Sequence, residues 1–440
     1  MRLTTVLLLC VLGAQTGLAQ EAAPPASSKL SREQLDRTVD ETLTLIEKNF
    51  MKEMSREEIV ERALNLLLQD LDPYSRYLSP TERADFEAMT AARFAGFGVQ
   101  LGIDADAHVP RITYLMLDSP ARDAGVRRGD LLLRVDGHDF TNWTMDQIID
   151  TLRGKPGTVA DVLIRRDGVD RPLPVRITRR EIKTPSVRGV RRDAEGRAQY
   201  MLDAQHGIGY IRISRLAADT VAEVERAMIE LQKQNARGVI VDLRDCVGGL
   251  MRAAVDTADL FLDKGKIVTV VDRHETELYD AAPGKFIDIP MVVLINDGTV
   301  SSGEILAGAL KDNDRATFIG ARTFGKGRVQ NHFKLGDGLG SIILSTGTFQ
   351  RPSGKTIDRH DVAEGSQDAG IAPDIAVKVD ATELDPWRAH MELLDSAAML
   401  TDEEQRATPD RILNLAVQTL IAKRSAAVPA AGQAASSPPS

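Results

Sequence analysis

The stretch Met291-Val292-Val293-Leu294-Ile295-Asn296-Asp297-Gly298-Thr299-Val300-Ser301-Ser302-Gly303-Glu304 runs from an unbroken apolar segment through a polar loop into a helix start. An apolar run with no alternation marks a strand buried on both faces, which is the habit of parallel sheets covered by helices. The same texture recurs upstream, where residues 239–243 are continuously apolar up to Asp242 and lead through Gly248-Gly249 into a helical pattern over residues 250–262. Residues 302–310 read as a helix and residues 317–320 as a third strand. Buried strands alternating with helices predict an α/β core. Such sheets place reactive groups at the carboxyl ends of their strands, where loops meet helix N-termini. The loops at residues 242–249 and 296–304 are therefore the places to look for chemistry.

Outward from that core, 440 residues exceed one ordinary domain. Residues 29–95 read as an N-terminal helical region. Ser31 with Gln34 and Ser55 with Glu58 form capping-box patterns, and the second helix stops near residue 71, before Pro73. Residues 96–182 change to short β-rich runs, with a hairpin over residues 162–166 and 173–177 and helices at residues 120–125 and 145–152, a small domain in itself. The α/β core spans residues 183–383. Helices follow over residues 384–424, broken near Pro409, and an Ala/Pro/Ser-rich tail over residues 425–440 is expected to be disordered.

The first 19 residues read as a secretory signal: Arg2, an apolar stretch over residues 3–13, and small residues ending at Ala19. Residues 20–28 form a flexible leader. The mature chain is expected to be exported, periplasmic or extracellular, with no membrane span once the signal is removed. Of two cysteines, Cys10 leaves with the signal, so Cys246 has no internal disulfide partner. A net charge of −9 offers no basic footprint for nucleic acid.

Ser301 has two readings. With Glu304 it makes a capping box, and it also puts a hydroxyl beside the free amides and positive dipole of a helix N-terminus, which suit an acyl-transfer oxyanion. The run Thr323-Phe324-Gly325-Lys326-Gly327-Arg328-Val329-Gln330 likewise reads as a glycine turn with an exposed lysine, or as a lysine brought by its flanking glycines into a partly buried site. In an extended segment Gln330 shares a face with Lys326 and can hydrogen-bond the amine. Burial would favour the neutral amine, a base for a serine proton. Among seven histidines none lies in a metal motif, no constellation suggests a metal or cofactor, and His332 and His274 stay open as alternative bases.

Together these motifs resemble the C-terminal processing peptidases, or tail-specific proteases, serine peptidases with a PDZ domain. Leu71-Asp72-Pro73-Tyr74-Ser75-Arg76-Tyr77-Leu78 is similar to the family's LDPHSxYL segment. Gly96-Phe97-Gly98-Val99, Ser119-Pro120-Ala121, Ala124-Gly125-Val126, Gly129-Asp130, Val135-Asp136-Gly137 and the run from Arg153 to Thr158 are similar to its PDZ domain, and Gly370-Ile371-Ala372-Pro373-Asp374 to a late core motif. The family's TFGKGxVQ stands unbroken at Thr323 to Gln330.

The resemblance implies a crotonase-like (ClpP/crotonase-type) α/β peptidase core with an inserted PDZ domain and helical segments at both ends. It implies Ser301 as nucleophile, Lys326 as general base and Gln330 as its orienting partner. Amides of Ser302 and of the Gly248-Gly249 loop would form the oxyanion hole. Phe97, Gly98 and Val99 would hold the C-terminus of a protein substrate while it adds a strand to the PDZ sheet.

Two departures stand out. Thr299-Val300-Ser301-Ser302-Gly303-Glu304 replaces the family's SASASE, and Cys246 replaces the asparagine of DLRxNxGG, either as a small packed thiol or as a redox-sensitive element of the oxyanion loop. A catalytically silent PDZ scaffold and a Ser–His hydrolase are the alternatives, and a homo-oligomer joined through the terminal helices is left open.

Overall fold

A computed structural model of the chain describes residues 30–90, 93–104, 106–116, 119–140, 143–193, 197–336, 338–363, 366, 368–396 and 410–427. The expected signal, leader and most of the tail lie outside the described residues, although residues 425–427 still belong to the last helix.

The chain divides after Leu67 into two units. The first carries the helix Arg32–Asn49, opened by a complete Ser31–Gln34 capping box, and most of the helix Arg56–Leu71. Arg56 ties the two together through Asp40 and Glu47.

The second unit is built on a seven-stranded sheet in the order Val187–Arg188, Ile208–Ile213, Gly238–Asp242, Met291–Ile295, Thr317–Gly320, Ile375–Ala376, with Met201–Asp203 added beside Ile208–Ile213. The strands from Ile208–Ile213 to Ile375–Ala376 run parallel. The doubly apolar runs divide their side chains between two cores. Val239, Val241, Met291, Val293, Ile295 and Phe318 face one cluster with Met228, Leu231, Ala254, Ala258, Leu306 and Leu310 of the helices Thr220–Lys233, Met251–Asp259 and Ser302–Asp312. Ile240, Val292, Leu294 and Ile319 face the other, closed by Ile412, Ala416 and Leu420 of the helix Arg411–Ala427.

The strand Ile208–Ile213 and the helix Thr220–Lys233 are absent from the sequence reading. Gly209, Tyr210 and Arg212 interrupt the apolar run, yet all are buried because Tyr210 donates to Asp242 and Leu231 fills the space above Gly209. A second, antiparallel sheet also went unread. It orders Arg76–Leu78, Ser341–Gln350, Lys266–Asp272 and Thr276–Asp280, with Arg328–Lys334 paired to Ser341–Gln350.

The β-rich domain is a six-stranded sheet with Val99–Ile103 at one edge and Leu173–Thr178 at the other. The helix Met145–Leu152 buries Ile148 and Leu152 in its core. The pair Arg93–Gly96 and Arg180–Lys183 zips the two chain crossings that join it to the larger sheet.

Leu420 is fully buried, its side chain lying over Gly238. Leu420→Ala is expected to cost about 2–5 kcal/mol, read as a lowered unfolding temperature, because the rigid sheet beneath cannot collapse into the cavity.

Candidate active site

Three loops meet at the carboxyl ends of the parallel strands, and hydrogen bonds fix them to one another. Thr299 Oγ1 donates to the Leu243 carbonyl at 2.7 Å, and the Val300 amide donates to the Cys246 carbonyl at 2.9 Å. Asn296 accepts from the Asp245 amide at 2.8 Å and donates to the Asp245 carboxylate at 3.0 Å. The Phe324 amide closes the third side on the Thr299 carbonyl at 3.1 Å.

Ser301 stands at the N-terminus of the helix Ser302–Asp312 with φ 58° and ψ −123°. A non-glycine residue held at positive φ stores about 1–3 kcal/mol of strain, and such strain collects where a side chain must be presented at a set angle. A strained strand-to-helix turn is also how α/β hydrolases expose a nucleophile.

The carboxylate of Glu304 joins this turn to the lysine loop. It is fully buried and accepts four bonds: from the Ser301 amide at 2.9 Å, Thr323 Oγ1 at 2.6 Å, the Gly325 amide at 2.7 Å and the Lys326 amide at 2.9 Å. Burial pushes its pKa up to about 7, against the pull of those donors. Ser301 and Lys326 thus hang by their backbones from one carboxyl group.

Two glycines let Lys326 in. A Cβ on Gly325, at φ 88°, would lie 3.1 Å from the Ile357 carbonyl, and one on Gly327 would lie 2.8 Å from the Asp358 amide. Lys326 Nζ donates to Gln330 Oε1 at 2.6 Å, the contact expected across an extended segment. Burial holds the amine below the usual lysine range, and Arg76 adds to that, while Asp72, Asp358 and Glu304 oppose it.

Gln330 Nε2 in turn donates to the Tyr74 carbonyl at 2.8 Å, and the Tyr74 ring centre lies 4.8 Å from Lys326 Nζ. In the sequence, Leu71 to Leu78 stands out only by its similarity to the LDPHSxYL segment, which gives Tyr74 no part. Its signal was Asp72, whose carboxylate caps the turn by accepting from Tyr74 and Ser75 amides at 2.8 and 3.0 Å.

Gly248, at φ 83°, abuts the serine turn: a Cβ there would come 3.0 Å from Ser301 Cβ and 3.1 Å from the Ser302 amide nitrogen. Gly249 instead turns its Cα toward Leu216, whose carbonyl would be 2.2 Å from an added Cβ. Ser302 is buried, and its hydroxyl has no partner among the described residues. Cys246 is buried against Gly303, and burial pushes its thiol up to about 11 even though the Gly248 amide faces the sulfur. A protonated, enclosed thiol is a packing element and not a redox centre.

Of the alternative bases, His332 Nε2 lies 2.7 Å from Ser341 Oγ, and His274 is exposed in the turn after the strand Lys266–Asp272. Neither takes part in the hydrogen bonds around Ser301. Among the described residues no group of three or more His, Cys, Asp or Glu could hold a metal ion.

In the β-rich domain the Phe97 ring is buried beneath Arg179, whose guanidinium carbon is 5.4 Å from the ring centre. Gly98, at φ 71°, packs on Ser119 so closely that a Cβ would lie 2.5 Å from the serine Cβ. Val99 begins the edge strand Val99–Ile103.

Known proteins resemble this chain over most of its length. Residues 207–377 match the model of peptidase family S41 and residues 111–166 that of the PDZ domain. The carboxy-terminal-processing protease of Bartonella bacilliformis is 34% identical over 329 residues, covering 73% of this chain and 70% of its own. The carboxyl-terminal-processing protease of Synechocystis is 34% identical over 338 residues, covering 76% of this chain and 74% of its own. Among solved structures, the photosystem II D1 C-terminal processing protease is 28% identical, covers 79% of this chain and 89% of its own, and superposes with a TM-score of 0.42.

Glu304→Gln offers one acceptor oxygen where the carboxylate offers two, so two of the four donors lose their partner. The neutral amide also escapes the cost of burying a charge, which a shift from 4.5 to about 7 puts at about 3 kcal/mol. The expected result is an unfolding temperature near or above wild type at neutral pH, with kcat/KM lowered about 10–100-fold. Because a carboxyl with a raised pKa stabilises the fold below its unfolded value and loses that contribution as pH rises, wild type should lose stability between about pH 4.5 and about pH 7, and the variant should not.

Proposed function

The chain belongs to peptidase family S41, and from that premise we propose that this serine peptidase cleaves proteins in or near their C-terminal regions through an acyl-enzyme on Ser301, with Lys326 as general base. The observation that carries this reading is the Glu304 carboxylate, which suspends a strained serine and a half-buried lysine from a single group.

In the forward step the neutral Lys326 amine takes the Ser301 proton as Oγ attacks the scissile carbonyl, and the resulting ammonium returns the proton to the leaving amine. Water then repeats the sequence on the acyl-enzyme. Gln330 Oε1 accepts from the amine throughout and keeps it aimed. The Ser302 amide, at the positive end of its helix, is the oxyanion donor with the firmest support. The Gly248 amide would complete the pair by turning from the Cys246 sulfur toward the substrate, and Gly249 serves to let the loop pass Leu216. The core that carries these groups is read as crotonase-like.

The PDZ domain supplies selection. Among the described residues no strand pairs with the outer edge of Val99–Ile103, to which an extended substrate can add, and the turn at Phe97 and Gly98 stands at its start to receive a terminal carboxylate. The N-terminal apolar stretch directs the chain to export, and among the described residues no helix is long and apolar enough to cross a membrane.

Two sets of measurements test this. Ser301→Ala should abolish turnover with the fold intact, while Ser302→Ala, which keeps the amide, should retain substantial activity; the opposite pattern would move the nucleophile by one residue. Lys326→Arg should be as inactive as Lys326→Ala, because a guanidinium stays protonated, and wild-type kcat/KM should rise with pH through the lowered lysine pKa. For selection, full-length Ser301→Ala should bind a peptide with a free C-terminus more tightly than its C-terminal amide, and equal affinity would remove terminal capture.

A further inference from the structure

The base is not held by its own loop alone. A second segment, Asp72 to Leu78, meets it through Tyr74. We propose that Tyr74 is a positioning residue for the base, its ring shielding the Lys326 amine from water while its carbonyl fixes Gln330. This rests on the reading of Lys326 as general base.

The geometry supplies both halves. The ring centre is 4.8 Å from Lys326 Nζ, and the Tyr74 carbonyl accepts from Gln330 Nε2 at 2.8 Å while Gln330 Oε1 accepts from Lys326 Nζ at 2.6 Å. The amide of Gln330 therefore bridges the lysine to the Tyr74 backbone, and both of its polar atoms are used in doing so. The tyrosine is itself anchored. Asp72 accepts from the Tyr74 and Ser75 amides and from the hydroxyls of Ser75 and Ser345, and Ser75 Oγ accepts from the Ser345 amide at 3.0 Å. Arg76 to Leu78 then pairs with Ser341 to Ile343, so the segment is an edge strand of the sheet that also carries Gln330. The Tyr74 ring is closed on another side by His360, edge-on with ring centres 5.7 Å apart.

A ring beside an amine acts in two opposed ways. Its face attracts the ammonium, and its bulk removes water that the ammonium needs. The charged and titratable groups around the amine are Asp72 and Arg76 from the covering segment, Asp358 from the loop behind, and Glu304 from the helix; burial, with Arg76 acting in the same direction, outweighs the three carboxylates and leaves the amine below the usual lysine range. Exclusion of water is thus the dominant action, and the ring, 4.8 Å from the amine, occupies space that water would otherwise fill. The Tyr74 hydroxyl is buried without a hydrogen-bond partner among the described residues. The proposal accordingly assigns the work to the ring and the backbone carbonyl.

The test is the pH dependence of kcat/KM from about pH 6 to about pH 10 for wild type, Tyr74→Ala, Tyr74→Phe and Lys326→Ala on one peptide, with folding checked by circular dichroism. Opening the amine to water in Tyr74→Ala should move the ascending limb to higher pH by about one unit, so that kcat/KM falls about 10-fold at neutral pH and recovers at alkaline pH. The loss should lie in kcat and not in KM, and Tyr74→Phe should restore the limb to its wild-type position. A loss in Tyr74→Ala that is uniform across pH, or a limb displaced equally in Tyr74→Phe, overturns the proposal while an inactive Lys326→Ala leaves the dyad standing. An active Lys326→Ala overturns both.

Discussion

The structure depends on one buried carboxylate. Glu304 lies in the first turn of the helix behind Ser301, and it reaches across to hold Thr323, Gly325 and Lys326, which belong to the loop after the next strand. Without it the Phe324 amide still bonds the Thr299 carbonyl, but the Ser301, Gly325 and Lys326 amides lose the acceptor they share. With it they share an acceptor, and the placement of the Ser301 backbone relative to that of Lys326 becomes a property of the fold. A carboxylate in so dry a place is costly, and four donors offset the cost only in part, which is why its pKa rises to about 7.

The price of this arrangement is local strain. Ser301 takes a positive φ that its side chain resists, Gly248 must lack a Cβ because the serine turn occupies that space, and Gly325 and Gly327 must lack one so that the loop on either side of Lys326 can pack against Ile357 and Asp358. These are constraints of close approach and not of flexibility. The rigid parallel sheet beneath, packed on both faces by helices, supplies the stability that lets the strained loops persist.

Much of this was legible in the sequence because the local signals agreed with the global fold. The apolar run at Met291–Ile295 is buried at every position, as a two-faced parallel strand must be, and the helix Met145–Leu152 has the limits its pattern gives. Ser301 with Glu304, and Lys326 with Gln330, were readable as pairs because each is short-range, and the Lys326–Gln330 contact follows from extended-chain spacing alone. What stayed hidden is long-range. Glu304 reads as a capping acid until the lysine loop folds onto both of its oxygens. Tyr74 is remote from Lys326 in sequence and meets it only because Arg76–Leu78 joins the antiparallel sheet, whose long strand Ser341–Gln350 mixes polar and apolar residues without regular alternation. Cys246 was ambiguous as a residue type, and its complete burial against Gly303 decides for packing.

The central claim is that burial lowers the Lys326 amine below the usual lysine range in the resting enzyme, as the proposed general base requires. Side-chain nitrogen NMR of the chain with labelled lysine, titrated from about pH 6 to about pH 11 and assigned with Lys326→Ala, measures this without reference to any substrate. The account predicts one lysine amine titrating well below the ordinary value of about 10.4, missing from the variant. A Lys326 amine that titrates with the surface lysines would contradict it.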